Sequence, residues 1–80
     1  MITSDEAEKL ALRTMEEYVA GCGCVSEQDV ANVLMKLASV IALGMCAVVG
    51  PEDAVARLEG TARFVEASQT GRTWRKSVLQ

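Results

Sequence analysis

The stretch from residue 27 to residue 49 constrains this chain most, because apolar residues fill it almost without a break. Past its first turn, the polar side chains Asn32, Lys36 and Ser39 fall on one narrow strip of a helix. A helix that is apolar nearly all round must be covered on several sides. A chain of 80 residues buries only about 60% of the surface that it exposes when unfolded. We therefore expect two neighbouring helices to leave part of this helix bare for a partner to cover.

A membrane span is the competing interpretation, because about 20 apolar residues are enough to cross a bilayer. The charge of Lys36 lies well inside the stretch, and Asn32 adds to the cost of burial in lipid. The flanks carry neither an aromatic belt nor the basic asymmetry that is typical of a spanning helix. We therefore predict a buried helix of a soluble protein that has no membrane association.

The cysteines and the first residues indicate a cytoplasmic protein. Cys22, Cys24 and Cys46 are odd in number, and the first two form a tight Cys-Gly-Cys, which is a poor disulfide framework. Met1 is followed by ITSDE, which lacks the basic and apolar regions of a secretory signal. We expect the thiols to be reduced and the protein to remain in the cytoplasm.

Capping signals mark the first two helices. Thr3 and Glu6 have the spacing of a capping box, in which each side chain satisfies a backbone N–H group of the other residue. We expect the first helix to end at Gly21, since glycine adopts the left-handed C-cap conformation at low cost. Ser26, with Asp29 three residues later, is the predicted N-cap of the second helix.

Gly50 and Pro51 separate the second helix from the third, because glycine suits a helix end and proline suits the first helical position. A connection this short predicts that the two helices form an antiparallel hairpin. The predicted fold is all-α, a single domain over residues 1–80 with three helices and a short C-terminal segment at 72–80. The helices are predicted at residues 4–20, 27–49 and 51–68.

The excess of apolar surface predicts a packed or intertwined homodimer in which the central helices of two copies meet. Gly44 and the neighbouring alanines Ala38, Ala42 and Ala47 would let these helices approach closely. The predicted oligomer interface consists of Val33, Leu37, Val40, Ile41, Ala47 and Val48. In the third helix, the residues predicted to face inward are Ala54, Val55, Leu58, Thr61, Ala62 and Val65.

No residue pattern indicates catalysis. Histidine, the most common general acid–base residue, is absent, and no nucleophile has a base beside it. The cysteine pair Cys22 and Cys24 is the nearest approach to a metal site, but a structural zinc site needs four ligands. Cys46 falls inside the apolar helix, where a buried thiol acts as a small hydrophobic group. We expect the protein not to be an enzyme and to hold neither a metal nor a cofactor.

The C-terminal residues carry the clearest binding signal. They place the only tryptophan between cations, and tryptophan with arginine is enriched at binding hot spots. For this segment, a short terminal helix or tail whose tryptophan covers one end of the bundle is favoured over a dedicated recognition role. For the protein as a whole, a protein partner is the main hypothesis, and a small anionic ligand at the oligomer interface is the alternative. The net charge of −3 argues against general nucleic-acid binding. The candidate partner- or ligand-binding residues are Arg63, Arg72, Trp74, Arg75 and Lys76.

The predicted hairpin from Leu34 to Ala67 resembles small helical proteins encoded by bacteriophages. The likeness rests on LMKLASVIA in the second helix and VARLEGTARFVEA in the third. Some members of this class inhibit host defence or regulatory proteins, and one group sequesters cyclic-nucleotide signals as an oligomer of helical hairpins. The resemblance implies a homo-oligomeric phage or mobile-element protein that binds and inhibits a host protein, or one that sequesters a small anionic ligand such as a cyclic nucleotide.

Overall fold

A computed structural model describes residues 1–68, and these form three α-helices and no strand. The predicted all-α class is confirmed for this part of the chain. The predicted C-terminal segment at 72–80 lies outside the described residues. The helices are α1 (Ser4–Cys22), α2 (Glu27–Val49) and α3 (Pro51–Ser68).

The start of α1 is the capping box that the sequence predicts. The backbone N–H of Thr3 donates to Oε1 of Glu6 at 2.9 Å, and the backbone N–H of Glu6 donates to Oγ1 of Thr3 at 3.1 Å. The end of α1 differs from the prediction: Gly21 is helical, and Gly23 is the C-cap, with φ 68 and ψ 37. Two glycines stand two residues apart here, and helical spacing alone does not tell which of them turns the chain.

Local signals also set both ends of α2. Oγ of Ser26 accepts the backbone N–H of Asp29 at 3.1 Å, as predicted for an N-cap, and Oδ2 of Asp29 accepts the N–H of Val25 at 3.0 Å. Gly50 follows the last turn with φ 90, which glycine adopts without the strain of a side chain. Pro51 then begins α3.

The described residues divide into two compact units, residues 1–34 and residues 35–68, and α2 contributes to both. In the first unit, Val19 of α1 and Val30 of α2 form a buried pair. Partly buried side chains pack around this pair: Met15, Tyr18, Cys24, Val33 and Leu34. In the second unit, Ala54 of α3 is buried.

Little apolar surface is buried within residues 1–68 of one copy. Among the described residues, only Val19, Val30 and Ala54 are buried. Beyond Ala54, the predicted inward face of α3 is not buried. Val55 and Leu58 line a groove together with residues of α2 but are 52% and 37% exposed, and Thr61, Ala62 and Val65 are exposed. Helical spacing correctly identifies which residues of α3 share one face, but the contact of α3 with α2 buries that face only in the first turn of α3.

Candidate interaction surface

One side of α2 borders a groove in the second unit. The groove has a volume of about 400 Å³ and is lined mainly by apolar side chains. Its one hydroxyl, on Ser39, already donates to the carbonyl oxygen of Met35 at 2.9 Å. The lining residues of α2 are Ser39, Ala42, Leu43 and Cys46, and those of α3 are Pro51, Ala54, Val55 and Leu58.

The opposite side of α2 forms what we call the outer face, made of Leu37, Val40, Ile41, Gly44 and Val48. Successive residues of an α-helix are rotated by about 100°, which places these five on the side of α2 away from the groove. Val40 is 58% exposed, Ile41 53% and Val48 83%. A contiguous exposed apolar patch of this kind marks an interaction site on a soluble protein or a surface in contact with lipid.

The predicted interface residues occupy two different environments. Val40, Ile41, Ala47 and Val48 are exposed, and Leu37 is half-buried. Val33 is the exception, because its side chain already packs against the buried pair of the first unit. The surface available to a partner is therefore narrower than the sequence predicts, and it lies in the second unit.

The division of α2 into two sides has an energetic consequence. The side along the groove carries one branched apolar side chain, Leu43, beside the smaller Ser39, Ala42 and Cys46, whereas the outer face carries four: Leu37, Val40, Ile41 and Val48. Burying a valine, leucine or isoleucine side chain stabilises a protein by roughly 1.5–3 kcal/mol. The contact with α3 thus leaves uncovered the side of the helix that has more to gain from burial.

Gly44 lies near the centre of the outer face. A Cβ atom added there would meet nothing within 4 Å, and the φ of Gly44 is not positive. Neither crowding within the chain nor the backbone conformation therefore requires glycine at this position. A glycine inside a helix costs about 1 kcal/mol relative to alanine.

Of the candidate partner- or ligand-binding residues, the structure describes only Arg63. Arg63 is exposed on α3, and Arg72, Trp74, Arg75 and Lys76 lie outside the described residues. Phe64, the aromatic neighbour of Arg63 in the sequence, is 66% exposed. An exposed aromatic residue next to an arginine is the composition of a binding hot spot, and only the structure shows that Phe64 is not packed inward.

Acidic residues flank a further hollow of the second unit. This open hollow, of about 610 Å³, lies where α2 meets α3 and is lined in part by Glu52 and Asp53. The Asp53 carboxylate pairs with Arg57 at 3.2 Å on the exposed surface. Carboxylates at this position disfavour an anionic ligand in the hollow.

The three cysteines are free thiols. Partial burial raises the pKa of the Cys24 thiol, and the neighbouring Cys22 and Asp29 add to the effect. A raised pKa lowers the thiolate fraction at neutral pH, and the thiolate is the form that binds metals and attacks electrophiles. In residues 1–68, no group of three or more cysteine or acidic side chains is placed to hold a metal ion.

The length and composition of α2 also satisfy the requirements of a membrane span. A signal sequence near the N-terminus meets the same requirements, and so does the core helix of a soluble protein. Such a core helix is mostly buried, whereas none of the apolar window of α2 is buried within residues 1–68 of one copy. No protein-family model, curated protein or solved structure matches this chain. The candidate site is accordingly defined by its own geometry: an exposed apolar helix face with a glycine near its centre.

Proposed function

We propose that this chain is a small homo-oligomeric helical module that acts by binding another macromolecule. The observation that carries the proposal is the exposed outer face of α2, centred on Val40, Ile41 and Val48. The antiparallel α2–α3 hairpin and the homodimer belong to the same proposal.

The small number of buried side chains supports self-association. Domains of this size are marginally stable alone, and disulfides, metals or oligomerisation usually supply the rest. The cysteines are free, and the described residues offer no metal cluster. A second copy covering the outer face would stabilise the fold through the same apolar burial that one copy lacks.

Light scattering coupled to size-exclusion chromatography, in buffer without detergent, tests the proposal. The informative variant is Val40→Asp, and Val65→Asp is its matched control because Val65 is also inside a helix and is 57% exposed outside the outer face. We expect a wild-type dimer, a rise of at least about tenfold in the dissociation constant for Val40→Asp, and no change for the control. A wild-type protein that is monodisperse and monomeric would contradict the proposal.

A membrane-spanning role for α2 is the second candidate, and the length and apolarity of the helix are the observations that favour it. Lys36 is exposed within the helix and opposes it, since a charge near the middle of a span costs roughly 2.5–3.5 kcal/mol. Sedimentation with the membrane fraction, and solubility only in detergent, would establish the span in place of the soluble module.

For the binding partner we propose a host protein in the cytoplasm, which the module inhibits. The resemblance to small phage-encoded helical proteins motivates this choice, and the exposed Phe64 beside Arg63 offers a contact for such a partner. Affinity capture from bacterial lysate should compare the wild type with Phe64→Ala and Trp74→Ala. Loss of a specific protein with either variant supports the proposal. Release of a nucleotide-like absorbing compound on heating would instead support the ligand-sequestering alternative.

A further inference from the structure

The geometry of the outer face points to its occupant. Resting on the proposed self-association, we infer that α2 pairs antiparallel with α2 of a second copy, so that Ile41 of each chain fills the notch at Gly44 of the other. Three observations lead to this arrangement: the length of the bare surface, the spacing of its residues, and the glycine near its centre.

The length of the outer face fixes the register. The face runs from Leu37 to Val48, because Leu34 belongs to the core of the first unit and Gly50 ends the helix. Two equal apolar segments overlap fully in an antiparallel pair only when their midpoints coincide. The midpoint lies between Ala42 and Leu43.

In this register, residues equally far from the midpoint face each other. Leu37 lies opposite Val48 of the second copy, and Ile41 lies opposite Gly44. Each contact occurs twice by symmetry, as in any two-fold interface. The large side chain of Ile41 therefore meets Gly44, which has no side chain. The side chains of Leu37 and Val48 meet each other.

The spacing of the same residues suits helix pairing. Leu37, Ile41, Gly44 and Val48 are separated by four, three and four positions, which is the alternation of the two core positions in a heptad repeat. In such packing, a side chain of one helix enters a hole between four residues of the facing helix. A glycine in this series widens the hole, and no described atom of its own chain fills it.

A parallel pairing in register fits the outer face less well. It would set Gly44 against Gly44, which leaves a void, and Ile41 against Ile41. It would also bring together the acidic first turns of both helices, each with Glu27 and Asp29. The antiparallel pairing separates these like charges and places the helix dipoles in opposite directions.

The test is Gly44→Leu, with Gly60→Leu as the matched control, measured as the dissociation constant of the dimer by sedimentation equilibrium. A Cβ at either glycine meets open space, and leucine favours the helix at both, so both variants should keep or raise helicity by circular dichroism. We expect Gly44→Leu to weaken the dimer at least about tenfold and Gly60→Leu to leave it unchanged.

A compensating variant makes the test specific to the register. Ile41→Ala leaves a cavity and should also weaken the dimer, whereas Ile41→Ala combined with Gly44→Leu refills the layer and should restore most of the affinity. A Gly44→Leu dimer that is tighter than the wild type would indicate the parallel pairing and overturn the inference. A double variant whose dimer is no tighter than the dimers of the single variants would also overturn the inference. A wild-type protein that is monomeric would instead contradict the proposed function itself.

Discussion

The hydroxyl of Tyr18 donates a hydrogen bond to the backbone carbonyl oxygen of Val33 at 2.9 Å and thereby joins α1 to α2 within the first unit. The ring of Tyr18 and the side chain of Val33 both pack against the buried pair Val19 and Val30. Partial burial raises the pKa of the Tyr18 phenol above its ordinary value of 10.0, and the nearby Cys22 adds to the shift. The phenol therefore combines apolar packing with the one described side-chain hydrogen bond between helices.

Replacement of this hydroxyl should destabilise the first unit. In Tyr18→Phe the ring stays and the hydrogen bond is lost, so we expect a melting temperature about 5 °C lower at neutral pH. Thr14→Val is the control, because the Thr14 hydroxyl donates only to Leu10 within α1.

Because the folded state raises the pKa of the Tyr18 phenol, the stability from the neutral phenol is present below pH 10.0 and is lost as pH rises through the raised value. Thermal melts at fixed protein concentration should show a larger alkaline loss in the wild type than in Tyr18→Phe, in which the raised pKa of the Cys24 thiol still makes stability fall at high pH. Equal melting temperatures of the two proteins at neutral pH would contradict the assignment.

The capping box gives a second prediction, with the opposite pH dependence. Hydrogen bonds from Thr3, chiefly from its backbone N–H, hold the pKa of Glu6 below its ordinary value of 4.5. The stability from the ionised carboxylate is therefore present above pH 4.5 and is lost as pH falls through the lowered value. We expect Glu6→Gln to lower the melting temperature by about 3 °C at neutral pH, with a difference from wild type that disappears in acid.

The control for this experiment is Glu16→Gln, which makes the same change of charge in the interior of α1. Melts followed by far-ultraviolet circular dichroism should show no comparable effect for the control. A Glu6→Gln difference that persists unchanged into acid would mean that the charge of Glu6 does not contribute to the cap.

The boundaries of the helices are the part of the fold that the sequence predicts best. Thr3, Ser26 and Pro51 each act through backbone groups a few residues away, so their effect is visible in the sequence itself. The exception is the C-cap of α1, where Gly21 and Gly23 both satisfy the local rule and the structure has the cap at Gly23.

The covered sides of the helices are predicted less well, for a physical reason. A helix such as α2 that is apolar nearly all round has no strong periodicity, so its sequence does not tell which side meets α1 or α3. The structure shows that the side chain of Val33 packs against the buried pair of the first unit, whereas that of Val48 is exposed. The bond between Tyr18 and Val33 joins residues 15 positions apart, and no local rule predicts such a contact.

The small core of the first unit leads to the third prediction. Val19 is 3% exposed and packs against Val30, so Val19→Ala removes buried methyl groups and leaves a cavity. The gain in helix propensity from alanine offsets part of this loss, and we expect a net destabilisation of about 1–2 kcal/mol. The control is Val65→Ala, which gains the same propensity in α3 at a position that is 57% exposed. Urea unfolding at one protein concentration measures both variants. Because so few side chains are buried in one copy, the loss at Val19 is a large part of the free energy of unfolding; a Val19→Ala protein as stable as the control would show that the Val19–Val30 pair does not hold α1 against α2.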